Sequence, residues 1–141
     1  MIKIDFYKNE FYEEVKQLLQ KTELYYESCD LKENLKCKIS RDSQSILIAI
    51  DENQIVGCVF ISEDGWSGFI WRLCVQESHR KEGIGSMLLK KAEEIIRNRG
   101  INEVSIFVDP KNDSLKNWYQ KKDYTKDSDW TFMYKRFDAH K

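Results

Sequence analysis

The hydrophobic period of this chain changes sharply across six residues, Arg80-Lys81-Glu82-Gly83-Ile84-Gly85. Before them, three apolar runs stand at 45–50, 55–61 and 66–75, separated by Asp51-Glu52-Asn53-Gln54 and Glu63-Asp64-Gly65. Runs of this length, rich in Val, Ile and aromatics and bounded by turn residues, read as strands, and short connections pair them antiparallel. After the six residues, Ile84, Met87, Leu88, Ala92, Ile95 and Ile96 recur at helical spacing until Gly100, a helix-ending residue. The chain therefore has to fold as an antiparallel meander that feeds a long amphipathic helix, 84–99, through a glycine loop.

The flanking segments fit around that unit. Ile2, Ile4 and Phe6 alternate as a short strand. Phe11, Val15, Leu18 and Leu19 predict a helix over 9–21 with Asn9 as its N-cap. Leu31, Leu35 and Ile39 predict a weaker helix over 30–40 capped by Asp30. A strand over 103–108 leaves through Asp109-Pro110, and a short helix comes next over 112–122. A last strand, 129–137, carries Trp130, Phe132 and Tyr134 in alternation, with a short strand near Tyr124 before it. The expected fold class is mixed α/β, with a mainly antiparallel central sheet flanked by helices. At 141 residues, with no linker, repeat or low-complexity tract, the expectation is one domain, 1–141.

Charge narrows the partners. Lys plus Arg number 23 against 24 Asp plus Glu, so the chain lacks the net basic field of a general nucleic-acid or membrane-surface binder. No apolar stretch approaches a membrane span, and the N-terminus lacks the apolar core of a signal peptide. Cys29, Cys37, Cys58 and Cys74 form no Cys-x-x-Cys spacing and have no neighbouring His, so no metal site is expected. They read as reduced thiols of a cytoplasmic protein, with Cys58 and Cys74 packing as small hydrophobes inside strands.

The loop has a chemistry of its own. A helix start presents free backbone N–H groups and the positive end of the helix dipole, which together bind phosphate. Glycines let the backbone approach such an anion closely, and Arg80 and Lys81 add positive charge. A Walker A loop is excluded, because Gly85 is followed by Ser86 and Met87. A dinucleotide-binding fingerprint is excluded too: Leu88 stands where its third glycine belongs, and a meander replaces the parallel βαβ unit.

The run from Leu73 to Leu89, containing Arg80-x-x-Gly83-x-Gly85, closely resembles motif A of the GNAT acetyltransferase superfamily. At the family's spacing, Asn112-x-x-Leu115-x-x-Trp118-Tyr119-x-Lys121-x-Asp123-Tyr124 resembles its motif B. The two motifs span 73–124. Three positions depart from the pattern: Leu115 replaces a small residue, Asp123 a glycine, and Gln76 a common proline.

The resemblance implies the GNAT fold, acetyl-CoA as cosubstrate and transfer of an acetyl group to a primary amine. It implies that backbone amides of Arg80, Lys81, Glu82, Gly83, Ile84, Gly85 and Ser86 hold the CoA pyrophosphate. The backbone of Leu73 and Val75 would pair with the pantetheine arm, and an N–H near Val75 would polarise the thioester carbonyl. Asn112 would contact the CoA arm, cap its own helix, or do both. Tyr119 would be the general acid for the CoA thiolate; helical spacing alone makes it equally a core tyrosine. A catalytically silent acyl-CoA-binding or regulatory module is the alternative, and a nucleotide-phosphate binder unrelated to CoA a third reading. Glu27, Glu63, Asp64 and Asp109 read as turn charges rather than as a general base, while Trp66 and Trp71 are candidates to line an acceptor pocket. The acceptor is a small-molecule amine or a protein amino group. The aromatic last strand is suited to pairing in a homodimer.

Overall fold

The computed structural model describes residues 1–137. The chain divides into two compact units, Met1–Ile106 and one that begins at Phe107.

The first unit holds a five-stranded sheet in the order β1-β2-β3-β4-β5. Its strands are β1 (Ile2–Phe6), β2 (Ile46–Asp51), β3 (Gln54–Glu63), β4 (Gly68–Val75) and β5 (Val104–Ser105). The first four pair antiparallel, and β5 joins β4 in parallel. Residues 46–49 and 55–61 are buried without alternation. This pattern marks strands covered on both faces, and it explains why these segments read as continuous apolar runs. One face meets α1 (Tyr12–Lys21) and α3 (Lys32–Arg41), where Val15, Leu18, Leu19 and Leu35 pack on Ile46, Ile48, Cys58 and Phe60. The other meets α4 (Ile84–Asn98), whose Leu88 and Ile84 side chains close on Gly57 and whose Ile96 closes on Gly68. Glu52 (φ 48°) and Asn53 (φ 67°) are both left-handed, the two-residue hairpin turn that joins twisted strands.

Several expectations need correction. Asn9 does not cap a helix from residue 9: a 3₁₀ turn, Asn9–Phe11, comes first, Phe11 precedes α1, and Asn9 Oδ1 is buried without a partner. Asp30 does not cap the next helix. It ends a four-residue helix, α2 (Glu27–Asp30), and α3 starts after Leu31 with no side-chain cap. The strand expected from Trp66 begins at Gly68, because the Asp64 carboxylate accepts the N–H groups of Trp66 and Ser67 (2.9 Å each) and holds them in a turn. The strand expected over 103–108 shrinks to two residues.

The second unit contains α5 (Asp113–Gln120). Residues 129–137 form no strand and are exposed, and the residues near Tyr124 make no strand either. Phe132 instead rests on Phe107, with ring centroids 4.5 Å apart. Alternation makes a segment suited to a sheet, but a strand exists only where a second backbone supplies the ladder.

Candidate active site

The end of β4 changes partners along its length. Its pairing with β5 covers only Gly68 and Phe69, so from Ile70 onward β4 runs on without that neighbour. On the other side it stays bonded to β3: Gln76 N–H donates to Val56 O (2.7 Å), and Cys74 stands opposite Cys58. In an antiparallel ladder the hydrogen-bonding direction alternates by residue. With 74 and 76 directed at β3, the N–H and C=O of Val75 point away from it. Val75 O does accept from the Arg80 Nε (3.1 Å), which draws that guanidinium back onto the strand end. Leu73, two residues earlier, shares the same edge.

The loop after β4 is left-handed twice, at Lys81 (φ 68°) and Gly83 (φ 84°). A Cβ at Gly83 would meet nothing within 4 Å, so glycine serves conformation here rather than space. Backbone of this kind turns N–H groups toward one side and forms anion-binding concavities. The first bond of α4 runs from Met87 N–H to Gly83 O (3.0 Å), which leaves the N–H groups of Gly83, Ile84, Gly85 and Ser86 without a helical acceptor. No side chain caps them, and the first turn has no acidic residue. Arg80, Lys81 and Glu82 are exposed, Ile84 is buried as an anchor, and Gly85 and Ser86 are partly accessible. A half-open groove of about 590 Å³ adjoins the loop, lined by Lys21, Thr22, Gln76, Glu77, Ser78 and Arg80.

Two groups of residues here escaped the sequence reading. The first fixes the loop. His79 Nε2 lies 2.9 Å from Asp51 Oδ2, and His79 Nδ1 lies 2.8 Å from Ser78 Oγ. The carboxylate can only accept, so Nε2 carries the donated hydrogen. This bond is the main reason the Asp51 carboxyl sits below the usual carboxylate range. The second group is Asp30 with Arg72. Asp30 is 3% exposed, and its Oδ2 accepts from Arg72 Nε (3.1 Å) and Tyr26 N–H (2.8 Å). Burial pushes its carboxyl up, and the Arg72 guanidinium opposes that rise. Both groups join residues 28 or more positions apart, which local spacing cannot reveal.

In the second unit, Asn112 caps α5: its Oδ1 accepts from Leu115 N–H (3.0 Å). Tyr119 is buried on α5, edge-on to Trp118 (4.9 Å) and Tyr124 (5.4 Å). Burial raises its phenol to about 12. Asp123 adopts φ 71°, the conformation of the glycine it replaces.

The carboxylates weighed as bases are occupied or exposed turn charges. Glu63 pairs with Arg99 (3.8 Å), Asp64 holds its turn, Asp109 accepts from Lys111 N–H (2.9 Å), and Glu27 is exposed. Trp66 is 86% exposed, whereas Trp71 packs on the core, stacks on Phe69 and donates to Ser62 Oγ. All four cysteines are free, and Cys58 and Cys74 are buried as expected. Among the described residues no group of His, Cys, Asp or Glu could hold a metal, and no helix is long and apolar enough to cross a membrane.

A strand running through a glycine loop into an apolar helix is the arrangement motif A carries, and residues 9–124 match the profile of the acetyltransferase (GNAT) family. This chain belongs to the GNAT acetyltransferase family. Curated relatives agree. An acetyltransferase of Sodalis glossinidius is 25% identical over 123 residues, covering 87% of each chain. One of Yersinia pestis is 30% identical over 108 residues, covering 72% of this chain and 77% of its own. Solved structures carry the same fold. Ard1 from Thermoplasma volcanium superposes with a TM-score of 0.76 at 20% identity, over 86% of this chain and 80% of its own. The PaiA N-acetyltransferase of Thermoplasma acidophilum, solved with coenzyme A, gives 0.73 at 21%, over 86% and 88%. Acetyl-CoA is the cosubstrate of the GNAT family, and the free N–H groups at the start of α4 suit its anionic pyrophosphate.

Proposed function

We propose that this GNAT protein is an N-acetyltransferase that moves the acetyl group of acetyl-CoA to a primary amine, with residues 1–141 working as one domain. The observation that carries the reading is the outer edge of β4, unpaired with β5 beyond Phe69, followed through the loop 76–83 by the uncapped start of α4. In this reading the amides from Arg80 to Ser86 bind the pyrophosphate, Leu73 and Val75 pair with the pantetheine arm, and Asn112 contacts that arm while capping α5. The amine nitrogen attacks the thioester carbonyl, and the Val75 N–H donates to the oxyanion that forms. The carbon–sulfur bond then breaks, the thiolate leaves, and the amine's surplus proton passes to water. Tyr119 donates to the leaving sulfur.

Magnitudes define that last role. A phenol near 12 facing a thiolate whose thiol has an ordinary pKa of about 8.5 is roughly 5 kcal/mol short of full proton transfer. Tyr119 therefore acts mainly by hydrogen-bonding the developing charge, and transfer completes as the thiolate meets water. That same weak acidity favours the second reading, an acyl-CoA-binding module without turnover.

Acidic residues of the acceptor-side segments, Glu23, Glu27 and Asp64, suit a cationic acceptor: a polyamine, an aminoglycoside-like amine or a protein amino group. The free thiols suit the reducing cytoplasm, and the exposed aromatics of 130–137 suit pairing of two copies.

The test is thiol release from acetyl-CoA across those amine classes. The wild type should turn over at least one of them, and Tyr119→Phe should lower kcat by roughly 100-fold with acetyl-CoA affinity nearly unchanged. Full activity in Tyr119→Phe would remove Tyr119 from the mechanism. CoA binding without thiol release on any amine would support the silent module.

A further inference from the structure

Arg72 occupies a position that usually belongs to glycine. Between the paired residues Cys58–Cys74 and Phe60–Trp71, β3 contributes one residue, Val59, while β4 contributes two, Arg72 and Leu73. This is a β-bulge, and Arg72 takes its left-handed corner at φ 57°. A side chain with a Cβ is disfavoured there, and such a conformation persists only where the surroundings enforce it.

The enforcing contacts are visible. The Arg72 guanidinium reaches the Asp30 carboxylate (Nε to Oδ2, 3.1 Å), and the Cys58 thiol donates to Arg72 O (3.4 Å). Asp30 is itself clamped: Tyr26 N–H donates to Oδ2 (2.8 Å), and Tyr12 Oη donates to its backbone carbonyl (2.7 Å). The bulge sets the orientation of the last residues of β4. One extra residue flips the alternation of a strand, so Cys74 joins the core face and Val75 presents its N–H outward.

We propose that Asp30 is a positioning residue for acetyl transfer: through its ion pair with Arg72 it holds the β4 bulge and so aims the Val75 N–H at the thioester oxygen. This rests on the reading of the outer β4 edge as the thioester site. Asp30 touches neither substrate; it acts through Arg72. The same pair ties α2 to the strand, which makes the bulge depend on the segment between α1 and α3.

Glycine takes the left-handed corner unaided, and this supplies a discriminating test. Asp30→Asn keeps an acceptor for Tyr26 N–H but removes the charge that holds Arg72. It should lower kcat by roughly 10- to 100-fold while the KM for acetyl-CoA moves little. Adding Arg72→Gly should restore most of that loss, because the bulge no longer needs its clamp. A purely structural role for Asp30 predicts the opposite, since removing both partners leaves the α2 tie broken. The amide resonance of Val75, tracked by NMR, gives a readout independent of turnover: it should shift in Asp30→Asn and return in the double variant. An inactive wild type with that amide pattern intact would sink the acetyltransferase reading and leave the clamp standing. Unchanged kcat and an unmoved Val75 amide in Asp30→Asn, or a double variant as impaired as the single one, would overturn the proposal. If Asp30→Asn does not fold, the double variant decides: near-wild-type kcat and Val75 resonance support the clamp, and loss of both refutes it.

Discussion

Tyr119 illustrates how residue type and environment contribute separately. Motif B singles it out, but only its burial says what kind of acid it is. A buried phenol has lost the water that would stabilise its anion, so its pKa rises to about 12. A raised folded-state pKa contributes stability that is fully present below the ordinary phenol value near 10 and is lost as pH rises through about 12. Tyr119 therefore stays protonated throughout the physiological range, and the pH profile of kcat/KM should show no descending limb from it below about pH 10. A descending limb near pH 9 that disappears in Tyr119→Phe would contradict this. Gly83 and Asp123 were legible at this scale because left-handed backbone restricts residue type. Asn9 and Asp30 were misread as caps for a related reason. Asn and Asp often stand at helix starts, and nothing local distinguishes a capping side chain from a buried one, such as Asp30 turned inward to an arginine 42 positions away.

Elements differ in how much of their identity is local. The 15 residues of α4 carry a full apolar stripe, and Gly100 with φ 86° follows just beyond its end, so both period and ending were readable. The length of β5 was not, because a strand lasts only as long as its ladder, and β5 pairs with β4 only at Gly68 and Phe69. That early end leaves the later residues of β4 unpaired with β5, and the proposed chemistry depends on that edge. Gly57 sits at a tight junction of β3 with β4 and α4. A Cβ there would stand 3.0 Å from Cys74 O and 3.1 Å from Leu88 Cδ1. The leucine can rotate, but the carbonyl belongs to β4 and cannot. Gly57→Ala should therefore destabilise the protein by about 1–3 kcal/mol and weaken CoA binding as β4 and α4 are pushed off β3. Thermal unfolding with and without CoA measures both effects, and an unchanged melting temperature would show that the junction yields freely.

For the molecule as a whole, stability against acid rests on carboxylates held ionised by the fold. The Arg99 guanidinium grips Asp42 through two bonds, Nη1 to Oδ2 (2.6 Å) and Nη2 to Oδ1 (3.1 Å), joining the end of α4 to the turn before β2. That grip holds the Asp42 carboxyl below its ordinary value. A depressed pKa contributes stability above the unfolded-state value near 3.9 and loses it as pH falls through the lower folded-state value. The melting temperature should drop steeply below about pH 4, and Asp42→Asn should flatten that drop. An equally steep fall in Asp42→Asn would assign acid sensitivity elsewhere. What the sequence determined by itself is the family, the meander, the long helix and the loop, because these arise from hydrophobic period and from glycine spacing within a few turns of chain. What only the tertiary structure decided is the working edge of β4. Its bulge, its Asp30–Arg72 clamp, the His79–Asp51 tether of the loop and its short pairing with β5 all join residues far apart in sequence, and such contacts exist only once the backbone has brought them together.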